Sequence, residues 1–225
     1  MDPKLSYPIP EGVNKHSFTV EKTARWFHIG ASPKSCSHII IVLHGYAHHP
    51  AYMLGGISEL AEGSDTLCVC APEGLSRFYI KGFDGRVGAS WMTRDDRQQD
   101  ITDQISYLES WWASLGISPE TKVTLAGFSQ GVATACRWLS GSRLFTPSRV
   151  ILHSGTIPPE WLSKAPKLPG ASKNFVLIRG DIDTIYPKES HSEAATFLSS
   201  LGLNVETIEV QGSHKIKAEH LTPYL

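Results

Sequence analysis

The sequence predicts an α/β protein in which helices cover both faces of a mostly parallel central sheet. Short, continuous apolar runs rich in β-branched residues recur along the chain, as is typical of strands that are buried on both faces. Segments with apolar residues at helical spacing separate these runs, and parallel strands need such crossover helices between them. We expect one domain over residues 1–225, with an irregular segment at 1–17 and no large lid domain.

The strands are predicted from their apolar runs. We expect one or two edge strands within residues 18–29, where the pattern partly alternates. Buried strands are expected at 39–43 and 66–71, and further strands at 123–125, 150–152, 175–178 and 203–210. In a parallel sheet of this kind, ligands collect at the carboxyl ends of the strands. The turns that follow the strands are therefore the places to look for functional side chains.

The helices are predicted from the spacing of apolar residues and from stop signals. We expect helices at residues 50–61, 93–115, 132–139, 187–201 and 216–225. A glycine follows the first, second and fourth of them, as is typical of helix ends. Thr93 and Asp96 are expected to form a capping box that starts the second helix. Residues 73–92, which are rich in glycine and aromatic side chains, are predicted to be a loop.

Composition and charge limit the functions open to the chain. Hydrophobic residues make up 41% of it and charged residues 19%, and the formal net charge is −1. A chain so close to neutrality has no global field that attracts nucleic acid, so no nucleic-acid partner is expected. No apolar run reaches the length of a membrane span, so no stable membrane insertion is expected either. The composition is compatible with a homodimer.

The N-terminus and the cysteines bear on the compartment. Residues 1–18 are polar, contain prolines and lack the apolar segment of a secretory signal, which favours a cytoplasmic location. The four cysteines are therefore expected to be reduced. Cys68 and Cys70 lie two residues apart on a predicted buried strand and face the same side, as small core residues would.

Residues 127–131 form a G-x-S-x-G motif (GFSQG) between a predicted strand and a predicted helix. In this setting the motif is typical of a nucleophile elbow, a sharp turn that exposes a serine hydroxyl, here that of Ser129. Such a turn brings neighbouring backbone close, so the positions two residues before and after the serine must be small. Gly127 and Gly131 meet this need. The alternative interpretation is a turn without a catalytic role.

A serine hydroxyl becomes a good nucleophile only when a base takes its proton, so the elbow requires a histidine and an orienting carboxylate. In this architecture the order along the chain is serine, acid, histidine, and the histidine follows the last strand. His214 has that position. The acid follows the preceding strand, where Asp181 and Asp183 compete, and one of the two is expected to form a turn. We favour Asp183 because it lies farther into the loop, after the turn at Gly180.

Acyl transfer also needs two backbone N–H groups that bind the oxyanion. The expected donors are the N–H of Gln130, directly after the nucleophile, and the N–H of Tyr46, where Gly45 lets the backbone turn after the early strand. Trp91 and Met92, at the end of the predicted loop, are expected to form the wall of a substrate pocket.

His44, His48 and His49 form a cluster that raises the question of a metal site. No nearby carboxylate or cysteine completes a set of ligands, and the predicted helix begins only at Pro50. We therefore expect no metal, and the proposed chemistry requires no organic cofactor. His44 is expected to be a structural residue that is hydrogen-bonded beneath the elbow.

Together these motifs resemble the phospholipase/carboxylesterase family of α/β-hydrolases, which includes acyl-protein thioesterases. The GFSQG at 127–131 matches the family motif residue for residue, and the LHG at 43–45 resembles the family's oxyanion loop. Residues 180–187 resemble G-x-x-D-x-V-V-P, which places the acid on Asp183. Residues 212–214 resemble the final G-x-x-H region, with one residue fewer between glycine and histidine. Dienelactone hydrolases have a related fold but use a cysteine as the nucleophile.

The sequence departs from the family pattern around the expected pocket. Arg179 stands where the family usually has a histidine, and Val132 replaces a common glycine. Residues 46–49 (YAHH) replace the usual L-G-D. These departures affect the expected substrate more than the expected mechanism.

The expected function is that of a serine hydrolase that cleaves small or short-to-medium acyl carboxylic esters through an acyl-enzyme. One alternative is an acyl-protein thioesterase or a lysophospholipase, which would prefer long acyl chains. Another is a non-catalytic ligand receptor built on the same scaffold. The expected partner in the first case is a small-molecule ester.

Overall fold

A computed structural model describes residues 9–170 and 172–225. Its helices and strands are, in chain order, β1 (Trp26–Gly30), β2 (His38–Leu43), α1 (Pro50–Gly55), β3 (Leu67–Pro72), β4 (Ser76–Tyr79), β5 (Val87–Ser90), α2 (Arg97–Leu115), β6 (Lys122–Phe128), α3 (Gln130–Gly141), β7 (Arg149–His153), α4 (Pro159–Ser163), β8 (Asn174–Gly180), α5 (Lys188–Ser200), β9 (Asn204–Val210) and α6 (Ala218–Leu221). Short 3₁₀ turns cover Ser58–Ala61 and Thr222–Tyr224.

The central sheet has seven strands in the order β1-β3-β2-β6-β7-β8-β9. β1 pairs with β3 in the antiparallel direction, and every other neighbouring pair is parallel. The predicted mostly parallel sheet is therefore confirmed. In the register of β2 and β6, Leu43 lies opposite Gly127, so the turns that follow these two strands meet at the same edge of the sheet.

Successive strand residues alternate between two apolar clusters, one on each face of the sheet. Ile39 and Ile41 belong to the cluster that also contains side chains of α2, α3, α4 and α5. Ile40 and Val42 belong to the other cluster, together with side chains of α1 and α6. Helices thus cover both faces, as the continuous apolar runs predict, because a strand residue on either face needs an apolar neighbour.

The prediction of a loop over 73–92 is wrong in part, because β4 and β5 form an antiparallel hairpin there. The segment after β2 pairs with this hairpin: the N–H of Ala47 donates to Ala89 (2.9 Å), and the N–H of Ala89 donates to His48 (3.0 Å). A Cβ on Gly88 would collide with the Ala47 carbonyl oxygen. This close contact therefore requires a glycine at position 88, although a glycine weakens the strand pattern in the sequence.

Several predicted boundaries also differ. The capping box at Thr93 and Asp96 is wrong, because α2 begins at Arg97 and the Asp96 side chain makes no cap hydrogen bond. The Thr93 N–H instead donates to the carboxylate of Asp100 (2.9 Å). The helix predicted over 50–61 is divided into α1 and a 3₁₀ turn. Helix α4, which has five residues, was not predicted, because an element so short carries no clear apolar period.

The predicted irregular segment at 1–17 lies partly outside the described residues, and residues 9–25 contain neither helix nor strand. All four cysteines are buried with free thiols, and the sulfur atoms of Cys68 and Cys70 lie 3.5 Å apart on the same face of β3. Across residues 9–170 and 172–225, no helix has both the length and the apolar character of a membrane span.

Candidate active site

Ser129 lies at the turn between β6 and α3, at the carboxyl edge of the sheet. Its φ of 53° and ψ of −117° lie outside the regions that a residue with a side chain favours. Such a conformation costs on the order of 1–3 kcal/mol and persists only where the surroundings impose it. Here the Ser129 N–H donates to the carbonyl oxygen of His153 at the end of β7 (3.0 Å), which ties the turn to the neighbouring strand.

Glycines on three segments allow the backbone to pack around this turn. A Cβ on Gly127 would lie 2.5 Å from the Gly131 carbonyl oxygen, and a Cβ on Gly131 would collide with the Leu43 carbonyl of β2. A Cβ on Gly155, which follows β7, would collide with the Ser129 carbonyl. The first two glycines belong to the sequence motif. The third is brought to the turn only by the tertiary fold.

Asp183 and His214 form a hydrogen-bonded pair between the loops that follow β8 and β9. The Nδ1–H of His214 donates to Oδ2 of Asp183 (2.8 Å), and the Asp183 side chain is fully buried. The backbone N–H groups of Ile185 and Tyr186 both donate to Oδ1 at 2.9 Å. Burial would raise the pKa of Asp183, but hydrogen bonds from Tyr186, His214, Ser154 and Ile185 outweigh it, so the pKa lies below its ordinary value. The carboxylate is therefore ionised at neutral pH.

Asp181, the competing candidate, is exposed and has a different set of partners. Its Oδ1 accepts the N–H of Ile182 (2.9 Å) and the N–H of Gly212 (2.8 Å). These bonds join the loop after β8 to the loop that carries His214. Asp181 thus forms a turn and connects two loops, while Asp183 faces the imidazole.

The His214 ring also lies beside the elbow. Its centroid is 5.0 Å from that of Phe128, the residue before Ser129, and 15% of the side chain is exposed. Among the described residues, Asp183 is the hydrogen-bond partner of this ring, so Nε2 remains available to other groups. The hydrogen bond at Nδ1 fixes the tautomer in which Nε2 can accept a proton.

The two expected oxyanion donors lie on the turns after β2 and β6, which the sheet register brings together. The N–H of Gln130 is the first of α3 and so has no partner within the helix. Within the described residues, neither this group nor the N–H of Tyr46 donates a hydrogen bond. Two unpaired N–H groups next to a strained serine are what an oxyanion site requires.

His44 is a buried structural residue, as predicted, but its ring is bonded to the turn after β2 and to Gly74 rather than to the elbow. It is fully buried, its Nδ1–H donates to the Gly45 carbonyl (2.7 Å), and its Nε2 accepts the N–H of Gly74 (2.9 Å). Burial lowers the pKa of His44 to about 4, so the ring is neutral and can accept and donate at the same time. His44 therefore holds the backbone around Tyr46 rather than taking part in acid–base chemistry.

Comparisons with known proteins identify the family and the fold. A model of the family described as Phospholipase/Carboxylesterase matches residues 25–223. The chain belongs to the phospholipase/carboxylesterase family. Its fold is the α/β-hydrolase fold, as the resemblance of the motifs implies.

Solved structures support the fold over almost the whole chain. Esterase PE8 is 24% identical, with a TM-score of 0.68 over 90% of this chain and 96% of that one. Acyl-protein thioesterase 2 from Zea mays is 16% identical, with a TM-score of 0.62 over 89% and 96%. The Bacillus cereus carboxylesterase is 14% identical, with a TM-score of 0.62 over 89% and 91%. No curated protein sequence matches the chain significantly.

Two departures from the family pattern have structural explanations. Arg179, at the end of β8, is buried and forms an ion pair with Glu209 of β9, so it joins two strands beneath the Asp183 loop. Val132 is fully buried in α3 and packs closely against Gly155. A Cβ on that glycine would lie within 2.7 Å of the Val132 side chain. Both side chains are therefore occupied in contacts within the protein interior.

The side chain of Gln130 has a role that the sequence did not reveal. Its Nε2 donates to the Met92 carbonyl (2.9 Å), and its Oε1 accepts the Trp91 N–H (3.1 Å). It thus holds the segment after β5 against the elbow. Only the backbone of Gln130 was assigned from the motif, because the partners of its side chain lie about 40 residues earlier in the chain.

The structure buries Trp91, while the prediction that Met92 forms part of a pocket wall stays a prediction. Trp91 is only 1% exposed, its ring stacks on His44 (centroids 4.7 Å apart), and its indole N–H donates to the His44 carbonyl (2.8 Å). Met92 lies close to Arg137, whose Nη1 is 3.5 Å from its sulfur. An open cleft adjoins His214, and neither Trp91 nor Met92 lines it. Trp91 therefore supports the turn that carries Tyr46, because its large ring is needed to fill the space beneath it.

Trp91→Phe is expected to lower kcat for an activated ester about 10- to 100-fold with little change in KM. The substitution removes the only indole hydrogen bond to the His44 carbonyl, so the Tyr46 N–H is held less firmly where the oxyanion forms. Trp112→Phe is the control, since that half-buried indole N–H has no hydrogen-bond partner among the described residues. An equal loss in both variants, or a change in KM alone, would contradict this role for Trp91.

An open cleft of about 480 Å³ adjoins His214. Its walls come from the segment after β2, from the hairpin β4–β5 and from the loop after β9, and they include His48, Tyr52, Ile80, Arg86, His214 and Lys215. Sequence analysis did not identify this cleft, because its walls come from three segments that are far apart in the chain.

The histidine cluster after β2 has partners other than a metal. The His48 ring stacks on Phe128 (centroids 5.5 Å apart), and Nδ1 of His49 accepts the N–H of Ala51 at the start of α1. Within residues 9–170 and 172–225, no three His, Cys, Asp or Glu side chains lie close enough together to hold a metal ion.

Proposed function

We propose that this protein is a serine esterase that hydrolyses carboxylic esters through an acyl-enzyme intermediate. The observation that carries the proposal is the buried Asp183–His214 hydrogen bond beside the strained elbow at Ser129. Both features cost free energy locally, since the elbow is strained and the carboxylate is buried, and their occurrence side by side favours a catalytic role. Membership of the phospholipase/carboxylesterase family supports the same class of reaction.

In this mechanism, Nε2 of His214 takes the proton from the Ser129 hydroxyl while the oxygen attacks the acyl carbon. The carbonyl electrons move to the oxygen, and the N–H groups of Tyr46 and Gln130 bind the resulting oxyanion. When the carbonyl re-forms, the bond to the leaving oxygen breaks and His214 returns the proton to it. A water molecule then repeats the sequence on the acyl-enzyme and releases the acid. Asp183 holds the imidazole in place and stabilises its protonated form.

The expected substrates are small or short-to-medium acyl esters. The cleft beside His214 is open and has both charged and apolar walls, so it can admit a small-molecule ester. The names of the similar structures include an esterase, a thioesterase and a carboxylesterase, so a thioester is the second bond type to be tested.

The test combines a covalent probe with a series of substrates. A fluorophosphonate should label the protein stoichiometrically, with the adduct on the peptide that contains Ser129. Activity on p-nitrophenyl esters should be highest at short acyl length and decline with long chains. A maximum at long chains would favour a thioesterase or a lysophospholipase. The absence of both labelling and turnover would indicate a non-catalytic receptor and would refute the proposal.

A further inference from the structure

In the part that the structure describes, two cationic side chains and no carboxylate line the cleft beside His214, in a chain whose net charge is −1. Arg86, next to β5, and Lys215, in the loop after β9, both line it and are both exposed. Among the described residues neither forms an ion pair, and none of the cleft-lining residues is an aspartate or a glutamate.

The cleft includes the imidazole of His214, and this determines which part of a substrate enters it. His214 must return its proton to the leaving oxygen, so the leaving group has to lie on the side of this ring. The acyl portion and the oxyanion lie toward the N–H groups of Tyr46 and Gln130, and neither of these residues lines the cleft. The cleft is therefore the site of the alcohol or thiol portion.

We propose that the natural substrate carries a negatively charged group, such as a carboxylate or a phosphate, on its alcohol or thiol portion, and that Arg86 and Lys215 bind this group. The inference rests on the proposed esterase function and specifies the substrate class of the same site. Because the two cations come from separate elements and no acid neutralises them, an anion between them gains attraction from both.

The alternative is that both side chains are simply solvated and contribute only to solubility. In that case the charge of the leaving group would have no influence on the rate. Two exposed charge contacts are expected to favour an anionic leaving group by about 2- to 30-fold in kcat/KM. A preference of this size can be measured with matched esters.

The first arm of the experiment compares 3-carboxyphenyl acetate with the neutral 3-carbamoylphenyl acetate, so that the charge lies on the leaving group. The second arm compares phenyl hydrogen adipate with phenyl adipamate, so that the charge lies on the acyl group. Each kcat/KM is divided by the rate of uncatalysed hydrolysis to remove differences in intrinsic reactivity. The wild-type protein should prefer the anion in the first arm and not in the second. The preference should disappear near 1 M NaCl, where the Debye length is about 3 Å.

Variants show whether the two cations cause the preference. Arg86→Gln combined with Lys215→Gln should bring the ratio in the first arm close to one. Arg143→Gln combined with Lys164→Gln, which removes the same two charges from exposed positions away from the cleft, should leave the ratio at its wild-type value.

Three results would overturn the inference: no anion preference in the first arm, a preference confined to the acyl arm, or an equal effect of both double variants. Hydrolysis of the neutral esters by the wild-type protein would show in each case that the proposed esterase function still holds. No turnover of any ester would instead refute the esterase function itself.

Discussion

Replacing Ser129 with alanine is expected to lower kcat/KM for a p-nitrophenyl ester by at least about 10⁴-fold and to abolish labelling by a fluorophosphonate. Without the hydroxyl no acyl-enzyme forms, and the remaining rate comes from binding and from the oxyanion donors acting on water. The fold should be retained, because the Ser129 hydroxyl makes no hydrogen bond to a described residue and alanine keeps the Cβ at the elbow.

Ser163→Ala is the matched control, since that exposed serine of α4 lies outside the cleft and bonds only within its own helix. Circular dichroism and thermal melting should give the same values for both variants and the wild type. Turnover within tenfold of the wild-type value in Ser129→Ala would exclude Ser129 as the nucleophile.

Asp183→Asn should lower kcat by about 10³- to 10⁴-fold with a smaller change in KM. The amide is nearly isosteric, but it can present an N–H to Nδ1 of His214, which favours the tautomer whose Nε2 carries the proton and cannot act as a base. The variant also removes the negative charge that stabilises the imidazolium. Because Asp183 is fully buried between two backbone N–H donors, some loss of stability is expected too, so melting is measured in parallel.

Asp181→Asn is the control two residues away. Its amide oxygen can still accept the N–H groups of Ile182 and Gly212, so kcat should fall by less than about threefold. The opposite ranking of the two variants would transfer the role of the acid to Asp181. Equal losses of kcat would indicate that activity depends on the conformation of the whole loop rather than on one carboxylate.

The parts of the fold that were predictable are those with a strong local signal. The buried strands are short apolar runs, and β2, β3, β6, β7 and β8 all lie within one to three residues of the predicted bounds. The two ends of α2 show the contrast. Gly116 ends the helix in a left-handed conformation, where a glycine is expected, whereas the start lies at Arg97, after an Asp96 that makes no cap hydrogen bond. The hairpin β4–β5 was missed because Gly88 is needed for close packing against Ala47, which lies far away in the sequence.

The candidate site divides in the same way. Ser129, Gly127 and Gly131 are close in sequence, so a short motif describes them completely. The choice of Asp183 over Asp181 rested on the order of residues in one loop, and the structure adds the hydrogen bond to His214. The placement of Trp91 could not be predicted, because an aromatic residue at the end of a loop fills an internal space as readily as it lines a pocket.

The sequence by itself determined the α/β class, the order of the strands along the chain and the types of residue at the elbow and in the two loops after β8 and β9. These properties are local, since they depend on the apolar period and on the backbone freedom of a few glycines. The tertiary structure alone decided which side of His214 is open, which residues line the cleft there and that Arg86 and Lys215 both face it. Such properties arise from distant segments packing together, and no local pattern records which segments will meet.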